Sequence, residues 1–245
     1  MRADLPYDKV RRVREEHRKI GLGLMGVHEW LLQRHKQYEV DDELREWLSV
    51  YKSYSESSSK ELAKELSISS PERFRAVAPA GTIGILASTT TGIEPLFASA
   101  YKRRYLTNGT DWKYEYVVSP IAKRIHEEYG VEGDDIQTAF SLSRTLEGIE
   151  QRIKFQAEVQ KFIDMGISST LNLSPWGSES NNEHTYKGIA RVIAKYAPGL
   201  RGLTCYPDGG RDGQPLEVVD YAYAAQNEGV IHEEKMDCVG GICGV

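Results

Sequence analysis

Phe74-Arg75-Ala76-Val77-Ala78-Pro79-Ala80-Gly81-Thr82-Ile83-Gly84-Ile85-Leu86-Ala87 is the stretch on which the fold turns. Residues 74–78 predict a short strand, and 79–87 a turn that runs into a short helix. Gly81 carries no Cβ, so backbone there can approach a ligand closely. Thr82 can cap the helix or donate its hydroxyl, and the first helical turn has N–H groups with no intrahelical partner. A strand, a turn of small residues and a helix N-terminus together make an anion site out of Pro79, Ala80, Gly81, Thr82 and Ile83. The same pattern also describes an ordinary strand-to-helix connection, and the stretch alone leaves both readings open.

Alternation of helix and short strand continues on both sides. Upstream, Val13, Ile20, Leu24, Val27, Leu31 and Leu32 recur at helical spacings across residues 8–35. Asp41 or Asp42 predicts the cap of a second helix to about residue 66, with Leu44, Trp47, Leu48, Tyr51, Leu62 and Leu66 on its apolar side. The serine-rich run 53–59 is expected to weaken its middle, because serine hydroxyls compete for backbone hydrogen bonds. Downstream, Tyr101, Arg103 and Tyr105 alternate before Asn108-Gly109, and Trp112, Tyr114, Tyr116 and Val118 alternate after it, which predicts a hairpin. Helices are expected over 120–129, 134–140 and 145–164. The last has Ile149, Ile153, Val159, Phe162 and Ile163 as core and Gly166 as its stop. A strand at 168–173, a helix to 196 capped by Ser180 or Asn181, and a strand at 202–206 complete the order. This pattern indicates an α/β fold with parallel pairing. Past Arg211 the chain turns polar and glycine-bearing, and 229–245 reads as a mobile tail after a domain spanning 1–228.

The chain's 245 residues suffice for one large domain or two small ones. With 40% hydrophobic and 27% charged residues it reads as an ordinary globular protein. A net charge of -5 disfavours a nucleic-acid partner, while a local basic patch still suits a phosphorylated small molecule. No apolar run has the length of a membrane span, and the polar N-terminus lacks the apolar core of a signal peptide. No membrane partner and a cytoplasmic location are therefore expected, and Asn108-Gly109-Thr110 reads as a turn rather than a glycosylation site.

Gly21-Leu22-Gly23-Leu24-Met25-Gly26 has the letters of a dinucleotide fingerprint. That fingerprint needs a buried strand just before it, and Arg14-Glu15-Glu16-His17-Arg18-Lys19 is not one. Close helix packing at the glycines is the expectation instead. The three cysteines are too few for a disulfide scaffold, and with scattered histidines no metal site is expected. Cys238-Val239-Gly240-Gly241-Ile242-Cys243 puts two thiols on the tail around flexible glycines. That suits thiol–disulfide exchange with a distant disulfide, and two incidental cysteines at a frayed end are the alternative.

Five segments, in this order, resemble the catalytic subunit of ribonucleotide reductase. Arg18-Lys19-Ile20-Gly21-Leu22-Gly23-Leu24-Met25-Gly26 is similar to the segment that opens the second half of those subunits. Ala78-Pro79-Ala80-Gly81-Thr82-Ile83-Gly84 resembles their substrate-phosphate loop, often Ala-Pro-Thr-Gly-Thr-Ile-Ser. Thr91-Gly92-Ile93-Glu94-Pro95-Leu96-Phe97 with Tyr101-Lys102-Arg103-Arg104 resembles the next block. Ser168-Ser169-Thr170-Leu171-Asn172-Leu173 and Gly202-Leu203-Thr204-Cys205-Tyr206-Pro207-Asp208-Gly209-Gly210-Arg211 resemble two later strands. The match covers nearly the whole chain. It departs at Ala80, Gly84 and Pro207, where the family has Thr, Ser and Arg, so phosphate binding would rest more on backbone N–H groups and Thr82.

The resemblance implies the C-terminal half of a ten-stranded α/β barrel with a flexible C-terminal tail. It implies reduction of ribonucleotides to deoxyribonucleotides by radical chemistry. The adenosylcobalamin-dependent class is favoured because Cys205-Tyr206 stands where the class I enzymes carry a Tyr-Tyr pair. The family's radical cysteine lies in an Asn-x-Cys-x-Glu motif that this chain lacks, so the cysteine and most of the cofactor site are expected on an N-terminal portion. The initial Met fits a split gene, and a truncated chain would look the same. Pro79, Ala80, Gly81, Thr82 and Ile83 would cradle substrate phosphate. Cys238 and Cys243 would re-reduce the active site and then be reduced by a thioredoxin or glutaredoxin-like partner. The rival reading is a non-enzymatic fragment that binds a nucleotide or a reductase subunit as a regulator.

Overall fold

In the computed structural model, which describes residues 5–107, 111–210 and 216–234, the first helix stands apart from any core. α1 (Asp8–His17) has no buried residue and ends at Arg18, whose backbone is left-handed at φ 45°. The chain then runs extended rather than continuing as one helix through 35. The Ile20 and Leu22 N–H groups donate to the carbonyls of Arg73 and Phe74 at 3.0 and 2.9 Å. Helix resumes at α2 (Val27–Leu32), entered through Gly26 at φ 73°. The expected helix over 8–35 is thus two helices with an extended link. Its glycines pack against loops, not against a helix: a Cβ on Gly23 would meet the Ala76 carbonyl oxygen at 3.1 Å, and one on Gly26 would meet Thr89 Oγ1 at 2.8 Å.

α3 (Asp42–Glu65) starts where Asp41 accepts the Leu44 N–H at 2.8 Å. Leu44, Leu48 and Ala63 are buried, while Trp47, Leu62 and Leu66 face solvent. The serine run does not break it. Ser55 and Ser59 turn their hydroxyls back onto the carbonyls of Lys52 and Ser55 at 3.0 and 2.6 Å, so the competition stays within the helix. Ser55 Oγ also accepts from the buried Arg75 at 2.7 Å.

Residues 74–78 are extended and form two isolated parallel bridges, Leu22 to Arg75 and Val77 to Ile167, in place of a full ladder. α4 (Gly81–Leu86) follows as expected. β1 (Ala100–Thr107) and β2 (Asp111–Val118) form the predicted hairpin, antiparallel from Ala100 opposite Val118 to Thr107 opposite Asp111. Residues 108–110 lie outside the described residues. α5 (Pro120–Tyr129) is capped by Ser119. The helix expected over 134–140 is instead a 3-10 turn at Gly133–Asp135 and α6 (Ala139–Leu142), because Thr138 opens a new capping box with Ser141.

α7 (Leu146–Gln160) is capped by Thr145 and stops ahead of the expected Gly166. The following residues are drawn to the extended segment: Asp164 accepts the N–H groups of Phe74 and Arg75, each at 2.8 Å. β3 (Thr170–Leu173) precedes α8 (Tyr186–Tyr196), which begins later than expected. Ser180 and Asn181 do not cap it; they bond the hydroxyl and carbonyl of Ser174 at 2.8 and 2.7 Å. The order closes with β4 (Thr204–Pro207), β5 (Leu216–Val218), α9 (Tyr221–Asn227) and β6 (Ile231–Glu234). The main core joins Leu31, Tyr38, Leu44, Leu48, Val77, Ile93, Phe155 and Val159.

Two sheets result. β3 and β4 pair in parallel, Thr170 opposite Thr204. The larger sheet has the order β5-β1-β2-β6 and is antiparallel throughout. The α/β class holds, but among the described residues parallel pairing is confined to β3–β4 and the isolated bridges. A hairpin connection can only join antiparallel strands, and β5 and β6 extend that hairpin on its two sides. Among the described residues no barrel closes. Of the stretch read as a tail, 231–234 pairs with β2, and 235–245, with Cys238 and Cys243, lies outside the described residues. Among the described residues no helix is long and apolar enough to cross a membrane.

Candidate functional site

α4, the loop over 88–98 and the hairpin enclose a cavity of about 450 Å³. Gly81, Gly84 and Ile85 form one wall and Tyr101, Arg103 and Val117 of the hairpin another, while Asn172 enters from β3. A larger cavity of about 690 Å³ lies over α7 and α8. Two ion pairs cross its lining, Arg45 with Glu158 at 3.3 Å and Lys195 with Glu150 at 2.6 Å. The smaller cavity is the candidate because the chemistry-bearing motifs converge on it.

Of the five residues expected to bind phosphate, Gly81 lines this cavity, and Pro79, Ala80, Thr82 and Ile83 do not. Ala80 is the N-cap residue of α4 and supplies no side-chain cap. The N–H groups of Ala80 and Gly81 turn back onto the carbonyls of Ala78 and Pro79 at 2.9 and 2.7 Å. The first-turn N–H groups of Thr82 and Ile83 have no intrahelical acceptor by the geometry of a helix. A Cβ built on Gly81 meets nothing within 4 Å, so the loop is open to solvent at that point. At Gly84, by contrast, a Cβ would land on the Thr91 methyl, because α4 packs there against the next loop.

The Glu94 part of the lining is held by a buried ion pair. Arg152 of α7, 4% exposed, donates to Glu94, to the Tyr38 hydroxyl at 2.9 Å and to the Thr170 carbonyl at 3.1 Å. The other Glu94 oxygen accepts the Thr170 N–H at 2.7 Å, and the Tyr38 hydroxyl donates to the Ile93 carbonyl. One guanidinium thus ties the 92–95 loop to β3. Burial raises the Glu94 carboxyl above the ordinary range, and the Arg152 charge and the Thr170 N–H oppose that rise. Burial likewise raises the Tyr101 phenol. On the near side, Glu29 of α2 accepts from Thr89 and from Arg124 of α5, and Gly26 N–H donates to the Thr90 carbonyl at 2.8 Å. His28 is fully buried, and its Nδ1 accepts the Leu96 N–H at 2.7 Å.

The sequence reading gave no role to Tyr38, Arg152, Arg103 or Glu29. One signal was present: Arg152 sits beside Ile149 and Ile153 on an apolar helical stripe, where an unpartnered charge would be costly.

The ribonucleotide reductase barrel-domain model matches residues 70–206, a span that runs from the extended segment through α4 and the cavity walls to β4. The chain belongs to the ribonucleotide reductase family. This reductase chain is 26% identical, over 247 residues, to a vitamin B12-dependent ribonucleoside-diphosphate reductase of Mycobacterium tuberculosis (strain CDC 1551 / Oshkosh), covering 86% of this chain and 34% of that protein. To the protein of the same description from Thermoplasma acidophilum it is 26% identical over 249 residues, covering 86% and 31%. The reductase chain therefore spans about a third of the length of the curated relatives it matches. A solved B-12 dependent (class II) ribonucleotide reductase superposes with a TM-score of 0.63 at 15% identity, over 88% of this chain and 34% of that one. The class Id reductase alpha subunit of Actinobacillus ureae superposes with a TM-score of 0.56 at 17% identity, over 85% and 42%. These two likenesses are of fold, and they extend to both classes.

Proposed function

We propose that this chain is the C-terminal part of the catalytic barrel of an adenosylcobalamin-dependent ribonucleotide reductase, and that its cavity takes the ribonucleotide. The observation that carries the reading is the family match over 70–206, within which Gly81, the 92–95 loop and Asn172 of β3 come to one cavity. The cavity's volume is that of a small-ligand site. Vitamin B12-dependent relatives at 26% identity support the class. Pro79, Ala80, Gly81, Thr82 and Ile83 are the phosphate loop in this reading, with Gly81 at the cavity and the N–H groups of the first turn of α4 as donors.

The chemistry replaces the 2′-hydroxyl of a ribonucleotide by hydrogen. The hydroxyl leaves as water, and two active-site thiols give up two electrons and become a disulfide. A tail thiolate, from Cys238 or Cys243, attacks that disulfide, and the second tail thiol then displaces it. Both active-site thiols are restored, and the tail disulfide passes to a thioredoxin or glutaredoxin-like reductant. Adenosylcobalamin supplies the radical chemistry when bound. A corrin with its nucleotide loop is far larger than the cavity of about 450 Å³. The described residues do not fit that cofactor, and the reading assigns it, with the radical cysteine, to an N-terminal portion of the reductase.

Reconstitution tests this. The chain alone forms no deoxyribonucleotide; mixed with the complementary reductase portion it forms a complex burying more than about 2,000 Å² and turns over. Robust turnover by the chain alone would overturn the reading.

A further inference from the structure

We propose that Arg103 of β1 is a second recognition element for the ligand's phosphates, presented across the cavity from α4. This rests on the reading that the cavity holds a nucleotide.

The argument is one of charge. Among the described residues that line the cavity, the charged side chains are Glu94 and Arg103. The Glu94 carboxylate is already engaged by Arg152 and by the Thr170 N–H. A nucleoside di- or triphosphate brings several negative charges. Backbone N–H groups and threonine hydroxyls can orient those charges but do not neutralise them. Arg103 is the cation on the described lining that can.

The hairpin also selects this residue from its neighbours. Lys102, Arg103 and Arg104 follow one another on β1, and side chains alternate between the faces of a strand. Tyr101 and Arg103 face the cavity, whereas Lys102 lies over the Tyr114 ring, 4.2 Å from its centroid, and within 3.8 Å of Glu217. The Arg103 backbone is fixed on both sides, opposite Glu115 of β2 and Leu216 of β5. Its guanidinium is aimed by Glu115, which accepts from Nε at 3.0 Å and from Nη2. The side chain is still 46% exposed, so a ligand can reach it. A planar fork held from one side and open to a cavity is suited to phosphate oxygens. Glu115 then has a second consequence: as a carboxylate beside the fork it competes with a bound phosphate for the same guanidinium.

The competition supplies the test. Binding of a nucleoside diphosphate and of the corresponding unphosphorylated nucleoside to the full chain is measured by ligand-observed NMR and titration calorimetry, for wild type, Arg103→Gln, Arg103→Lys and Glu115→Gln. Arg103→Gln lowers diphosphate affinity about tenfold and leaves nucleoside affinity unchanged, as expected for one lost charge-assisted contact. Arg103→Lys falls between, keeping the charge without the fork. Glu115→Gln raises diphosphate affinity about threefold. A residue that only braces the hairpin gives a different pattern, in which Arg103→Gln and Glu115→Gln weaken both ligands alike; that result overturns the proposal. Diphosphate affinity unchanged in Arg103→Gln also overturns it, while leaving the nucleotide cavity standing. A wild-type chain that binds neither ligand overturns both the proposal and the reading beneath it. Thermal denaturation of each variant separates a lost contact from a lost fold.

Discussion

Replacing Arg152 by Met removes the guanidinium but keeps much of the aliphatic bulk. Three acceptors lose their donor together: Glu94, the Tyr38 hydroxyl and the Thr170 carbonyl. Breaking a buried pair from one side costs about 3–5 kcal/mol, because the remaining charge is left uncompensated. Glu94 is 24% exposed and keeps the Thr170 N–H, which places the cost near the lower end, about 3 kcal/mol. Against a domain stability of about 5–15 kcal/mol that is a large fraction. Urea unfolding measures it as a fall in midpoint at constant slope. The pH dependence identifies the cause. Burial raises the Glu94 carboxyl, and Arg152 is the charge that opposes this, so without Arg152 the group takes up a proton more readily. The deficit of Arg152→Met is therefore larger at pH 8 than at pH 5, and adding Glu94→Gln recovers part of it. A loss under about 1 kcal/mol, or a deficit that neither acid nor Glu94→Gln relieves, refutes the argument that this pair carries the cavity wall.

Three further outcomes are expected. Burial, with the Arg152 charge second, pushes the His28 pKa from 6.5 to about 3. The unfolded chain therefore takes up a proton that the folded one refuses; stability is complete above 6.5 and falls as pH drops toward 3, by about 1.4 kcal/mol per pH unit. His28→Asn keeps an acceptor for Leu96 and flattens that slope in urea midpoints taken from pH 8 to pH 5. Gly81→Val and Gly84→Val separate binding from folding. The first adds atoms where a Cβ meets nothing and weakens nucleotide binding at unchanged Tm, while the second strikes Thr91 and costs about 1–3 kcal/mol of stability. In the reconstituted reductase, Cys238→Ser with Cys243→Ser gives about one turnover on a pre-reduced site and then stalls with thioredoxin. A small diffusible dithiol restores cycling, whereas sustained turnover with thioredoxin would falsify the shuttle.

Local chemistry made much of this molecule legible. Asp41 starts α3, the period of two around Asn108-Gly109 places the hairpin, and the 74–87 stretch gives an extended run into α4. Each is decided by neighbours in sequence. The reading failed where distant partners decide. Arg18 ends α1, and the glycines beyond it are held extended by residues 73–76, which no helical periodicity within 8–35 reveals. β5 and β6 are only three and four residues long, and they are strands because the hairpin offers its two edges. The cavity wall needs Tyr38, Glu94 and Arg152 together, and no spacing rule connects three residues so far apart. Gly81 reaches the cavity, and so does Arg103, which the sequence placed on the hairpin and in a family block without a site role.

The fastening at α2 sets where this polypeptide tolerates interruption. Gly26 turns at positive φ against Thr89, its N–H is held by Thr90, and Glu29 grips Thr89 and Arg124. Residues from three distant places in the chain meet in one cluster with Thr89 and Thr90, which line the cavity. Fragment complementation, circular permutation or gene fusion that opens the backbone between 26 and 89 separates the two jaws of that clasp, and each piece then carries half of the cluster. A cut ahead of Arg18 spares it, since α1 buries nothing. For anyone dividing or grafting this domain, residues 20 to 124 travel as a single piece, and the seam belongs before them.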